Sequence, residues 1–116
     1  MVKEKRTFLM EDKDWEELWK RFKEVIGFIY DNKGVIQSLE KQKLSASSEE
    51  AKTTLEEQME EVHELLRNHQ EELLEILEKA KKLKPGNESE YQSLERAIQK
   101  LNTEALEKEM GKITKK

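Results

Sequence analysis

The chain has 116 residues, of which 34% are hydrophobic and 41% charged, with a net charge of −4 and no cysteine. That length suits one domain, and the balance is too polar for a thick globular core, where roughly 45–50% apolar and 25% charged residues are usual. Disulfides and thiolate metal sites are excluded, and the missing cysteines point to a reducing cytoplasm.

The chain opens with the basic stretch Met1 to Arg6, followed only by Thr7-Phe8-Leu9-Met10 before charges resume. A secretory signal needs a longer apolar run, and no stretch nears the roughly 20 apolar residues that span a bilayer. Residues 1–13 therefore read as an N-terminal extension. Within it, Phe8-Leu9-Met10 either dock onto something or staple onto the first helix.

Asp14 has Glu17 three positions on, a box-like start for a helix over about 14–44. Trp15, Phe22, Ile29 and Ile36 fall at heptad position a, and Leu18, Val25 and Leu39 at d. Trp19 and Ile26 add e, while Phe28 and Val35 add g. A stripe that wide is expected of a helix touching two neighbours. Asp31-Asn32-Lys33-Gly34 carries turn chemistry, yet Gly27 and Gly34 both sit on the outer f position and the pattern keeps phase from Ile29 to Ile36. The spacing predicts a continuous helix, with a break or kink near Gly34 as the alternative.

Ser47 and Glu50 spell S-x-x-E, the signature of a helix start, and Pro85-Gly86 ends the segment. Between them Leu55, Met59, Val62, Leu66, His69, Leu73, Ile76, Ala80 and Leu83 recur at alternating gaps of four and three. This rhythm aims one narrow apolar stripe at a partner helix. A helix over 48–84 is predicted, with glutamates toward its positive end and Lys79, Lys81, Lys82 and Lys84 toward its negative end.

The third helix is expected over 88–112, from Asn87 with Glu90 as the reciprocal acid. Tyr91, Leu94, Ile98, Leu101 and Ala105 form its stripe, which then shifts by one residue to Leu106, Met110 and Ile113. Residues 114–116 read as a frayed tail. Connections of about five residues make neighbouring helices antiparallel. The fold expected is all-α: an elongated antiparallel three-helix bundle over 14–113, a long hairpin plus a shorter C-terminal helix with coiled-coil-like packing.

His69 replaces a leucine in the second helix's stripe and reads as a polar guest in a core, or as a pH-sensitive contact. Glu60 and His63 match the E-x-x-H spacing of di-metal bundles, but there are only two histidines and no second such pair. No metal site and no cofactor is expected. Residues 45–84 hold six Lys/Arg against eleven Asp/Glu. That acidity disfavours nucleic acid. No cysteine nucleophile, G-x-S-x-G or phosphate loop is present, so neither an enzyme nor a small-molecule substrate is expected.

Six of the seven aromatics lie in the first thirty residues. They form either a thick end of the core or anchors for a partner, since Trp and Tyr dominate binding hot spots. Basic residues among them resemble an interfacial membrane helix, but Glu16, Glu17 and Glu24 dilute that face. The candidate partner-binding residues are Trp15, Trp19, Phe22, Ile29 and Tyr30. The expected function is a non-enzymatic protein–protein interaction module: an adaptor, chaperone-like partner or assembly subunit. Self-association as a coiled coil and an acidic inhibitor or decoy are the alternatives. In size, charge and hairpin layout the chain also resembles the small helical partner proteins of bacterial type VII (ESX) secretion. It lacks their W-x-G turn, because Trp15 is followed by Glu16-Glu17 and Trp19 by Lys20-Arg21, and no residue role is carried over.

Overall fold

In the computed structural model the backbone is described from Val2 to Thr114 and side chains from Lys13 to Thr114. Among the described residues all regular structure is helical: α1 (Val2–Ser45), α2 (Glu49–Leu83), α3 (Glu88–Lys100) and α4 (Thr103–Thr114). Phe8-Leu9-Met10 lies outside the described side chains, and Lys115 and Lys116 outside the described backbone.

Helix α1 begins well before Asp14, which is an interior helical residue and not a cap. The helix also runs unbroken through Gly34. At Gly27 and Gly34 a Cβ would meet nothing within 4 Å, so both glycines lie on the free surface. The apolar stripe that continues through both glycines outweighs their poor propensity.

Three residues turn the chain into α2. Its cap is Ser48, not Ser47: the Ser48 hydroxyl accepts from the Ala51 N–H at 3.1 Å. Pairing between α1 and α2 is antiparallel, fixed by Lys43–Glu56, Phe28–His69 and Arg21–Glu72 in succession. Helix α3 then returns along α2. The Tyr91 hydroxyl donates to the carbonyls of Lys84 (2.6 Å) and Ala80 (3.3 Å), tying α3 to the last turn of α2, where the Ala80 carbonyl also accepts the Lys84 N–H. Burial pushes the Tyr91 phenol above its ordinary value, which keeps that donor protonated. Gln70 reaches the carbonyls of Ile98 and Gln99. Asn87 takes the N-cap position of α3 without a side-chain capping bond.

The expected third helix is two helices. Leu101 adopts a left-handed conformation with φ 52 and closes α3. The Asn102 side chain then accepts from the Ala105 N–H at 3.2 Å, a standard N-terminal cap for α4. The one-residue shift of the apolar stripe has this turn as its cause. A continuous helix would carry Leu106 and Ile113 off the face that Tyr91, Leu94 and Ile98 occupy. The break returns both to the interior, where each is buried.

One end of the molecule is thus four helices thick, with Phe22, Val25, Ile29, Leu73, Leu77, Tyr91, Leu94, Ile98 and Leu106 sealed inside. Burying such a side chain stabilises by about 1.5–3 kcal/mol before entropy is counted. Near Leu101, whose carbonyl accepts from Lys33 at 2.8 Å, the α3–α4 layer stops. Beyond that level α1 and α2 continue as a two-helix arm. Its seam is thinner: Ile36 and Leu39 are buried, whereas Leu55, Met59 and Val62 are half-covered. The result is an elongated body of 71 × 24 × 16 Å. No helix among the described residues is long and apolar enough to cross a membrane.

Candidate functional site

Among the described residues, packing α3 and α4 on one side of the α1–α2 hairpin leaves its other side uncovered. On that open side lies a groove of about 580 Å³ lined by α1 and α2 alone, with Leu18, Ile76 and Leu83 as its apolar surface. Asp14 and Glu17 form one rim; Glu75, Lys79 and Lys82 form the other. An 18-residue step is five full turns of an α-helix and returns to the same face. Residues 18 positions from groove-lining ones therefore share its side: Val35 with Glu17, Leu65 with Leu83, Glu57 with Glu75, and Glu61 with Lys79.

Between the groove and the arm, Arg21 spans from α1 to α2. Its guanidinium donates to both carboxylate oxygens of Glu72 (2.5 and 3.0 Å) and to Glu24 at 3.3 Å. The fork geometry gives two parallel charge-assisted bonds. Its hydrogen bonds hold the Glu72 carboxyl below the usual carboxylate range and raise the guanidinium's own value. The same guanidinium lies 5.6 Å from the Phe28 ring centre. Phe28 meets the His69 imidazole at 5.6 Å between centroids, with ring planes tilted by 34°. Although sited in the stripe, His69 is half-buried at the edge of the hairpin and lines a shallow depression with Phe28, Asp31 and Asn32.

Past Phe28, toward the arm, Val35 and Leu65 remain exposed. Phe28 is 40% exposed, Val35 44% and Leu65 46%. The open side is therefore asymmetric along its length: apolar knobs on the arm side of Phe28, and an apolar groove on the other. Its charge is asymmetric as well. Along α2, Glu57 and Glu61 flank the knobs, while Lys79 and Lys82 stand beside Glu75 on one rim of the groove, with Asp14 and Glu17 on the other. Glu56, on the arm, accepts from Lys43 at 2.8 Å and is held below its ordinary value by that hydrogen bond.

The candidate partner-binding residues divide sharply. Trp15, Trp19, Phe22 and Ile29 are buried. The Trp15 and Trp19 rings meet edge to face at 5.3 Å, and Trp19 and Phe22 at 5.2 Å. The Lys84 ammonium sits 4.6 Å from the Trp15 ring centre, within cation–π range. Among the described residues Trp19 carries the one buried side-chain polar atom without a partner, its indole Nε1. These four are interior, so no partner reaches them without opening the bundle. Tyr30 alone is exposed, at 69%. Residues of the open side that were not among the sequence candidates are Phe28, Val35 and Leu65. Their signal was present. Phe28 and Val35 widen the α1 stripe at position g, and Leu65 is a leucine beside the seam where charge prevails.

His63 is exposed, and Glu60 pairs at 4.0 Å with Arg67. Among the described residues no cluster of three or more His, Asp or Glu has metal-binding geometry. Comparison with protein-family models, curated proteins and solved structures gives no match.

Proposed function

We propose that the chain is a non-enzymatic protein–protein interaction module, an adaptor, chaperone-like partner or assembly subunit, that docks through the open face of the α1–α2 hairpin. One observation supports this reading above the others. Phe28, Val35 and Leu65 stay half-exposed beside a groove floored by Leu18, Ile76 and Leu83, while α3 and α4 cover the opposite face. Large apolar side chains grouped this way, rimmed by charge, mark interaction surfaces more often than scattered ones do. Nucleophile, cofactor and metal motifs are all lacking from the sequence, which supports a binding role over a catalytic one. The lack of cysteine favours a reducing compartment such as the cytoplasm.

The reading is tested with a Phe28→Ala/Leu65→Ala double variant. Immobilised wild-type chain is expected to retain specific proteins from native extract. The variant is expected to lose them while keeping its far-ultraviolet circular dichroism and melting close to wild type. An identical set of retained proteins for both would refute docking through this face. Self-association is the second reading, favoured by the split of charge along α2.

A further inference from the structure

The open face carries two asymmetries that run in register, and one symmetry operation satisfies both. We infer that the occupant of this face is a second copy of the chain, packed antiparallel about a two-fold axis that crosses the hairpin at Phe28 and His69. The inference rests on the open face being a docking surface, and it names what docks there.

Consider the axis lying in the plane of the interface, perpendicular to the helices. It sets α2 against the partner's α2 in the opposite direction, as an isologous contact requires. Placing it at the level of His69 and Gln70 brings Glu57 opposite the partner's Lys82 and Glu61 opposite the partner's Lys79. Glu61 and Lys79 share one helix face by the five-turn spacing, and Lys79 and Lys82 line the groove. All four side chains are exposed and reach the same side. Symmetry doubles these contacts.

The apolar features match under the same operation. Leu65 comes to the level of the partner's Glu75 and Ile76. Val35 comes to the level of the partner's Arg21, one turn from Leu18. Both knobs thus enter the groove of the other copy, floored by Leu18, Ile76 and Leu83. At the axis the Phe28 and His69 rings meet their own copies. A single two-fold accordingly pairs knob with hole and acid with lysine. An unrelated partner would require neither coincidence.

Area is sufficient. The overlap from Glu57 to Lys82 is roughly 38 Å long at 1.5 Å per residue and about 20 Å wide for two helices. That is on the order of 750 Å² per copy, near the ~800 Å² per partner of a stable complex. Two contacts oppose the arrangement: Glu64 falls opposite the partner's Glu75, and on α1 Glu24 falls beside the partner's Asp31. They equal the attractive pairs in number, so the apolar contacts decide the balance, and the Glu64 repulsion supplies a further readout.

The test is a charge exchange on the full chain, read by sedimentation equilibrium at low ionic strength. Wild type is expected to dimerise. Lys79→Glu/Lys82→Glu makes the face uniformly acidic there, and Glu57→Lys/Glu61→Lys makes it basic. Each variant alone is expected to dimerise at least about tenfold more weakly, four opposed pairs having become like-charged. Mixed in equal amounts, the two regain complementary pairs at every position and are expected to form a heterodimer with near wild-type affinity. Glu64→Gln is expected to tighten the wild-type dimer. Wild type that stays monomeric at every concentration overturns the inference. So does a mixture no tighter than its components, or charge variants that dimerise like wild type. A monomer that still captures another protein through Phe28 and Leu65 would assign the face to that protein, leaving docking intact and removing the second copy.

Discussion

Tyr91 closes the end of α2 from the neighbouring helix. Its hydroxyl donates to the carbonyls of Lys84 and Ala80, the second of which also accepts the Lys84 N–H, and the ring is fully buried. Removing the oxygen alone, in Tyr91→Phe, deletes both bonds from the phenol at nearly unchanged volume. A loss of roughly 1–2 kcal/mol is expected in urea unfolding, whereas an unchanged midpoint would mean that water replaces the phenol. Glu72 makes a pH-dependent contribution. Its folded-state value is lowered by the bonds from Arg21, so the unfolded chain binds more protons and stability rises with pH through this window. The contribution is complete above the ordinary glutamate value of about 4.3 and is lost as pH falls through the lowered one. Glu72→Gln is therefore expected to cost up to about 1 kcal/mol at neutral pH and nothing in strong acid. A difference constant across that range would contradict the role given to the pair.

Among the elements, α2 was the most legible from sequence, and its cap was misplaced by one residue. Ser47 satisfies the S-x-x-E spacing, but Ser48 has the extended backbone and the bond to Ala51. Two adjacent serines compete for one cap, and only the path of the Ala46–Ser48 turn selects between them. Ser48→Ala should lower stability by about 1 kcal/mol and Ser47→Ala by almost nothing; the reverse order would restore the box. The start of α1 was missed because Asp14 and Glu17 fit a cap equally well as interior residues of a longer helix. Its continuity through Gly34 followed from the phase of Ile29 and Ile36. With open space around the missing Cβ, Gly34→Ala is expected to stabilise by about 1 kcal/mol, while destabilisation would indicate a turn at that position. The division of the C-terminal segment was visible only as a shift in phase at Ala105 and Leu106. A left-handed leucine at position 101 breaks local preference, so tertiary packing of Leu106 and Ile113 decides it.

On the scale of the whole molecule, the number of apolar faces was readable and their assignment was not. Periodicity marks which residues leave water but not which neighbour covers them. Trp15, Trp19, Phe22 and Ile29 therefore looked equally suited to core or partner. Helix α4, by turning back onto α1, leaves them in the core and the exposed residues elsewhere. Phe28, Val35 and Leu65 remain uncovered because the α3–α4 layer packs on the opposite side of the hairpin. The most direct measurement is sedimentation equilibrium of Leu65→Asp beside wild type, with circular dichroism as the check on folding. Wild type is expected to be a dimer and Leu65→Asp a fully helical monomer. A folded Leu65→Asp chain that associates as tightly as wild type would contradict that expectation.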